Sequence, residues 1–187
     1  MFIGRHLPDE RYRVIYTDPP WAYQNWSDAK NGAARAHYPC MKTEEIAALP
    51  VGDLAAPDSF LVMWTTGPKF AEGDHLQLMD AWGFKPVTTL FVWNKVNRKG
   101  EPYCGLGFYT RSATEFAVLG KRGHPKRREG ATKVMQVITA PRIYRHSAKP
   151  LETYDRIEEL FEGPYIEIFA RNRREGWDSW GNQLAEE

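Results

Sequence analysis

The segment RVIYTDPPWAYQNW, residues 13–26, carries the strongest structural signal in this chain. Its residues 14–16 are a short apolar run of the kind that forms a buried strand. Pro19 and Pro20 stop that strand, because proline has no amide hydrogen to donate to a neighbouring strand. In an open α/β sheet, ligands bind beyond the carboxyl ends of the strands. The segment therefore predicts a strand that ends at Asp18, on the edge of the sheet where a ligand binds.

The four residues DPPW also have a chemical interpretation. The Asp18 carboxylate and a nearby proline carbonyl form a rigid pair of acceptors, which suits the two hydrogens of a base amino group. Trp21 offers a flat ring on which a base can stack. A plainer interpretation is a strand end whose aspartate caps a helix before a proline turn. The residues of this segment alone leave both interpretations open.

Strand and helix signals alternate along the rest of the chain. Strands are predicted at SFLVMWTT, PVTTLFVWNK, TEFAVLGKRG, TKVMQVITA and YIEIFA, and helices at KTEEIAALP, at residues 69–82 and at KPLETYDRIEELFEGP. The first helix is expected to be capped by Thr43, and the tail RNRREGWDSWGNQL to be polar. This alternation predicts an α/β fold with a mostly parallel sheet and helices on both faces, in one domain over residues 1–187.

The apolar positions of two predicted helices form stripes. These positions are Phe70, Leu76, Met79 and Trp82 in the middle helix, and Leu151, Tyr154, Ile157 and Phe161 in the last. Residues 22–40 and 97–112 are polar loops that exceed the usual length of a connection, which indicates a functional role for both. Trp177 and Trp180 are expected to pack rather than to stack on a ligand.

Composition excludes several classes of protein. The chain has 187 residues and two cysteines, Cys40 and Cys104, without a CxxC pair, so neither a zinc ribbon nor a disulfide framework is indicated. No secretory signal and no apolar run of membrane-spanning length is present. We expect a cytoplasmic protein that uses no metal. The net charge is only +1, so any affinity for nucleic acid must come from a local patch.

One basic run, KRGHPKRR, stands out against this neutral background. It contains Lys121, Arg122, Lys126, Arg127 and Arg128 without an acidic residue. A solvated loop is the simpler interpretation. The run follows a strand that we expect near the base site, however, and this placement favours contact with phosphates.

Taken together, these motifs resemble the N6-adenine methyltransferase family that includes the eukaryotic mRNA adenosine methyltransferases. DPPW is similar to the tryptophan form of that family's amino-methyltransferase signature. HYPCMKTEEIAALPV, FLVMWTTGP, GFKPVTTLFVWNK and GLGFYTRSATEFAVLGKRG resemble the segments that follow it, and HSAKPLETYDRIEELFEGPYIEIFARNRREGWDSWGNQL resembles its cofactor region. The match runs in order over residues 13–184. It implies a Rossmann-like methyltransferase fold in a permuted motif order, with the target-amine motif first.

The resemblance also implies roles for individual residues. Asp18, Pro19, Pro20 and Trp21 correspond to the catalytic motif, and S-adenosylmethionine is the implied cofactor. Residues in cofactor-binding positions are Lys149, Glu167, Arg171, Asn182 and Gln183. Gln183 departs from the glutamate found in many bacterial relatives, which leaves its role less defined. Tyr38 resembles a loop tyrosine that closes over the bound base or cofactor.

The expected activity is therefore methyl transfer to the N6 amine of adenine in nucleic acid, with DNA favoured over RNA. Two rival functions stay open: a catalytically silent partner subunit, and a plain nucleic-acid-binding module. An intact DPPW argues against the first, and the cofactor set around Lys149 argues against the second. Association with a second subunit, identical or different, also stays open.

Overall fold

The computed structural model describes residues 7–22, 40–105, 107, 109–142, 148–182 and 184. Its strands are β1 (Tyr12–Thr17), β2 (Ala55–Thr66), β3 (Lys85–Val96), β4 (Thr114–Arg122), β5 (Val137–Pro141), β6 (Tyr165–Ile168) and β7 (Trp177–Trp180). Its α-helices are α1 (Thr43–Ala47), α2 (Gly67–Glu72), α3 (Asp74–Ala81) and α4 (Glu152–Leu160), and a 3-10 turn covers Val51–Leu54.

The seven strands form one sheet in the order β5-β3-β4-β2-β1-β6-β7. All neighbouring pairs are parallel except the two that involve β4, which runs antiparallel to both β2 and β3. The carboxyl ends of the other six strands therefore lie on one edge of the sheet, which we call the carboxyl edge. The opposite edge, the amino edge, carries the carboxyl end of β4. The predicted α/β class with a mostly parallel sheet is confirmed.

Helices cover both faces of the sheet, as predicted. On one face, Ile46 of α1 and Leu78 and Met79 of α3 pack into a core cluster with side chains of β1, β2 and β6. On the other face, Ile157 and Leu160 of α4 pack into a second cluster. Alternation of side chains along each strand explains this division, because successive residues point to opposite faces. Tyr16 and Asp18 consequently belong to the α4 face.

The two helical stripes differ from expectation. A break at Gly73, whose φ is 81°, divides residues 69–82 into α2 and α3, because a left-handed residue ends the first helix. Phe70 and Leu76 are consequently exposed rather than buried. In the last helix Leu151 precedes the first turn and is 67% exposed, whereas Ile157 and Phe161 are buried as predicted. Thr153 and Leu160 are buried as well.

Two further local predictions were wrong. Thr43 is the first residue of α1 rather than its cap, and Lys42 takes the cap position, where its backbone N–H donates to the Glu45 carboxylate at 2.8 Å. The polar tail contains β7, whose Trp177 and Trp180 are buried on the two faces of the sheet. This burial confirms that both tryptophans pack. Across the described parts of the chain, no helix combines the length and the apolar character that a membrane crossing requires.

Candidate active site

The DPPW segment lies at the carboxyl end of β1, as predicted. The Trp21 N–H donates to the Pro19 carbonyl at 2.8 Å, and the Met41 N–H donates to the Pro20 carbonyl at 2.9 Å. The Ala22 N–H in turn donates to the Met41 carbonyl at 3.0 Å. These bonds fix the backbone of the motif against the segment that leads into α1. A carbonyl oxygen has two lone pairs, so the Pro19 oxygen keeps one for a further donor.

Five side chains of alternating charge form a line across the carboxyl edge on the α4 face. The Lys95 and Lys149 ammonium groups hold the Glu115 carboxylate between them, at 2.5 and 2.9 Å. Lys149 also contacts the Asp18 Oδ2 atom at 2.7 Å, and an Arg171 guanidinium nitrogen lies 3.6 Å from the same oxygen. We call this set the charge line: Lys95, Glu115, Lys149, Asp18 and Arg171.

The charge line is buried enough for its members to change each other's titration. The Lys149 side chain is only 8% exposed. Burial would lower the pKa of Lys149, but attraction to Asp18 and Glu115 outweighs it and raises the pKa above its ordinary value. Burial would likewise raise the pKa of Glu115, but Lys149 and Lys95 hold it below its ordinary value. Both groups are therefore charged at neutral pH.

Glu167 lies on β6, where it pairs with Tyr16 of β1, and it is close enough to Asp18 for the two carboxyl groups to interact. Burial raises the pKa of its carboxyl from 4.5 to about 7, against the opposing effect of a hydrogen bond from the Tyr154 hydroxyl at 2.8 Å. The negative charge of Asp18 adds to the increase. A carboxyl that is half protonated near pH 7 close to three charged side chains, Asp18, Arg171 and Lys149, is characteristic of functional sites.

Glu167→Gln should therefore stabilise the protein at high pH. Between pH 4.5 and 7 the folded protein retains a proton on Glu167 that the unfolded chain releases, so stability falls as pH rises through this window. Because glutamine does not titrate, the substitution should add about 3 kcal/mol to the free energy of unfolding at pH 8 and less than about 1 kcal/mol at pH 5. Urea denaturation at both pH values measures this difference. Glu159→Gln, on the exposed side of α4, is the matched control, and an equal change at both pH values would contradict the assignment.

The structure brings four of the predicted catalytic and cofactor-binding residues together. Asp18, Lys149, Glu167 and Arg171 converge on the α4 face, although they are far apart in the sequence. Asn182 follows β7 at the same edge and is exposed. Tyr38 and Gln183 lie outside the described residues, and the long loop predicted at 22–40 is described only at its two ends. The roles of all these residues remain predictions.

Trp21 does not present the open ring that was predicted for base stacking. It is 3% exposed and belongs to the core cluster on the α1–α3 face, and its indole N–H donates to the Trp64 carbonyl at 3.3 Å. The ring therefore anchors the DPPW backbone to β2. In this arrangement Trp21 acts through packing, and the stacking prediction has no support.

The basic run at 121–128 is not near the DPPW segment, and the premise of its predicted role was wrong. Because β4 is antiparallel, its start at Glu115 pairs with Thr66 at the carboxyl edge, whereas its end at Arg122 pairs with Ser59 at the amino edge. Seven residues of extended strand separate Glu115 from Arg122, which is about 24 Å. The run therefore cannot contact phosphates beside a base held at Asp18.

Two members of the run also have structural partners. The Arg122 guanidinium donates to the carbonyls of Gly52, Trp82 and Gly83, so it ties the segments before β2 and β3 to β4. Arg128 donates through its backbone to the Leu160 carbonyl and through its side chain to the Phe161 carbonyl, at the end of α4. The substrate-binding role predicted for these two arginines has no support, whereas Lys121, Lys126 and Arg127 remain exposed.

Comparison with known proteins agrees with this site. The model of the MT-A70 family matches residues 12–183. The chain belongs to the MT-A70 family. It is 36% identical to the type II methyltransferase M.MunI of a Mycoplasma species, over 95% of this chain and 80% of that protein.

More distant relatives are longer than this chain. The N(6)-adenine-specific methyltransferase METTL4 of Homo sapiens is 29% identical, over 92% of this chain and 37% of its own length. The N6-methyladenosine RNA methyltransferase MTA1 of Cryphonectria parasitica is 27% identical, over 92% of this chain and 52% of its own length. The family match over residues 12–183 covers all seven strands of the sheet, and the chain is a methyltransferase.

Sequence reasoning missed two members of the charge line in this MT-A70 chain. Glu115 begins the otherwise apolar strand TEFAVLG, and Lys95 ends the apolar strand before the long loop. A charged side chain inside a buried strand is costly unless it is paired. The same argument applies to Glu167 in YIEIFA, and applied to TEFAVLG it would have found Glu115.

The charges at this MT-A70 site fit the cofactor that a methyltransferase of this kind uses. S-adenosylmethionine carries a carboxylate, an ammonium and a sulfonium, so a site for it needs cations and carboxylates close together. Lys149 uses two of its three donors on Glu115 and Asp18, which leaves one for a carboxylate. Glu167, close to Asp18, is a third carboxyl group at this edge of the sheet. Within the described ranges, no three ligating side chains are grouped as a metal ion would need.

Proposed function

We propose that this chain transfers the methyl group of S-adenosylmethionine to the N6 amine of adenine in DNA. One observation carries the proposal. Asp18 directly follows β1, and its two cationic partners, Lys149 and Arg171, both contact its Oδ2 atom. A carboxylate held in this way offers one oriented acceptor next to the Pro19 carbonyl.

The chain's residues act on the amine through position and charge. A hydrogen bond from N6 to Asp18 Oδ1, with a second to the Pro19 carbonyl, aims the nitrogen lone pair away from the protein. S-adenosylmethionine, when bound, would supply the electrophilic methyl group and would leave as the neutral thioether once its carbon–sulfur bond has broken. Positive charge develops on N6 as the new carbon–nitrogen bond forms, the Asp18 carboxylate stabilises it, and the methylated nitrogen then loses one proton to solvent. The charge line holds the Lys149 and Asp18 side chains in fixed orientations. Neither side chain therefore has to reorient during the reaction.

We assign the cofactor to the part of the charge line that includes Lys149 and Arg171. Lys149 precedes α4, so its third donor and the first turn of that helix suit a carboxylate. Glu167 and Arg171 lie on and just beyond β6, and Asn182 follows β7, so a ribose and an adenine ring along this edge would meet all three. Gln183 and Tyr38 are retained as proposed contacts from the resemblance.

A nucleic-acid surface is proposed around the same edge in place of the basic run. The loop between β3 and β4 carries exposed Arg98, Lys99 and Arg111, and Arg142 follows β5 at that edge. The Arg142 guanidinium donates to the Tyr103 hydroxyl at 2.6 Å, which orients it over that loop. Cations grouped beside an active site are positioned to contact the phosphates that flank a target base.

DNA is favoured as the polymer because the Mycoplasma relative is a type II methyltransferase that this chain covers over 80% of its length. An RNA substrate is the alternative, and the name of the fungal relative supports it. A silent partner subunit is disfavoured, because the charge line retains every charge that the chemistry needs. We further propose a single methyltransferase domain over residues 1–187 acting in the cytoplasm, where Cys40 and Cys104 remain thiols.

Sequencing of modified bases in cells that express the chain tests the substrate. We expect N6-methyladenine in the DNA of these cells within one short recurring motif, and no such motif in cells that express the Asp18→Asn variant. Purified protein should then methylate a duplex that carries the motif faster than the matching RNA. Methylation of RNA alone would contradict the DNA assignment and leave the adenine chemistry in place.

A further inference from the structure

The exposed part of the basic run lies on the amino edge, where the proposed reaction does not use it. Lys121, Lys126 and Arg127 are exposed there, and Lys85 joins them because it pairs directly with Lys121 across β3 and β4. We call these four residues the amino-edge patch. None of them forms an ion pair with another residue in the described ranges.

The arrangement of the amino-edge patch is unfavourable in the protein alone. Like charges directly opposite each other in an antiparallel pair destabilise a sheet, and Lys85 and Lys121 occupy such positions. Two acidic residues of this region, Asp58 and Glu162, are engaged elsewhere. Asp58 accepts from the His124 N–H at 2.6 Å, and Glu162 faces Arg13 at 3.4 Å and Arg128 at 4.0 Å. An anion from outside the chain would relieve this repulsion.

We propose that the amino-edge patch is a second binding surface for the phosphate backbone of the nucleic-acid substrate, remote from the target base. The chemistry of the surface favours phosphates over a protein partner. Protein interfaces centre on buried clusters of apolar and aromatic side chains, whereas among the described residues of β3, β4 and the segment up to residue 128 a single large apolar side chain, Val87, is exposed. Flexible lysine and arginine side chains without base-reading geometry are suited to phosphate contact.

Distance sets the length of nucleic acid that can use this surface. The patch begins at Lys121, about 20 Å from Glu115 along β4. Successive phosphates of one DNA strand advance by about 3.4 Å along the helix axis, so a duplex must extend at least about six base pairs beyond the target adenine to reach the patch. The inference rests on the proposed function, and it predicts a preference for long substrates that depends on the patch.

The test compares two duplexes that carry the motif found by sequencing, with flanks of about four and about twenty base pairs on each side of the target adenine. For the wild type, kcat/KM should be about tenfold higher on the long duplex at low salt. The double variant Lys126→Ser/Arg127→Ser should keep the wild-type rate on the short duplex and lose this preference. Its binding to the long duplex should show a salt slope that is smaller by up to about 1.8.

Two control variants separate charge from other effects. Lys126→Arg/Arg127→Lys keeps both charges and should retain the preference for the long duplex, whereas Lys133→Ser removes one exposed charge on the α4 face and should leave the preference unchanged. An equal loss on both duplexes, or an unchanged preference in the double variant, would overturn the inference. If the wild-type protein methylates neither duplex, the proposed function itself has failed. If it methylates the short duplex but shows no patch-dependent preference for the long one, only the inference about the amino-edge patch has failed.

Discussion

Asp18→Asn should lower the rate of methyl transfer by about 100- to 1000-fold, which is the usual effect of removing one oriented group that stabilises developing charge. The asparagine side chain has nearly the same shape but no negative charge to offset the charge on N6. Cofactor affinity should change by only a few fold, because Glu115 still holds Lys149 at 2.9 Å. Initial rates on the motif duplex and calorimetry with S-adenosylmethionine measure the two effects separately.

Asp80→Asn is the control for this variant. Asp80 is exposed in the last turn of α3, on the face opposite the charge line, so the same chemical change there should leave both rate and affinity unaltered. A rate for Asp18→Asn within a few fold of wild type would show that Asp18 does not face the reacting amine. A large loss of cofactor affinity would instead place Asp18 in the cofactor site.

Lys149→Met should have the second largest effect, and on binding rather than on the chemical step. A charge-assisted hydrogen bond to the cofactor carboxylate is worth roughly 1.5–3 kcal/mol, so affinity for S-adenosylmethionine should fall by about 10- to 150-fold. The uncharged thioether product has the same carboxylate and should lose affinity by a similar factor. The variant also leaves Glu115 and Asp18 with one cation each, which should destabilise the fold by about 3 kcal/mol.

Calorimetry with S-adenosylmethionine and with the thioether product measures the change in affinity, and urea denaturation of the free protein measures the change in stability. Lys149→Arg keeps the charge and should recover most of the stability, and Lys133→Met, on an exposed loop, should change neither quantity. If Lys149→Met folds and binds S-adenosylmethionine as the wild type does, Lys149 serves only to hold Glu115 and Asp18 in place.

The sequence predicted those parts of the site that a local signal marks. Asp18 follows an apolar run and precedes two prolines, Lys149 precedes a helix with a clear apolar stripe, and Glu167 is a charge inside an apolar strand. Each signal depends on a few adjacent residues. The fold class followed for the same reason, because strand and helix patterns alternate along most of the chain.

Features that depend on distant pairing could not be found in this way. The direction of β4 is set by its partners β2 and β3 rather than by the residues of TEFAVLGKR, and reversing that strand moved Arg122 to the far edge of the sheet. The strand β7 has only four residues, and its two tryptophans are buried on opposite faces by neighbours in β1, β6 and α4. Glu115 acquires its role only when Lys95 and Lys149 reach it from other elements.

The central claim is that the charge line presents the N6 amine of adenine to a methyl donor, and the identity of the methylated nucleoside tests it most directly. The protein is incubated with the motif duplex and S-adenosylmethionine that carries a deuterated methyl group, and the DNA is then digested to nucleosides for mass spectrometry. We predict that the label appears only in N6-methyl-2′-deoxyadenosine, and that Asp18→Asn removes it. Label on cytosine or on a ring nitrogen of adenine, or equal labelling by Asp18→Asn, would contradict the claim.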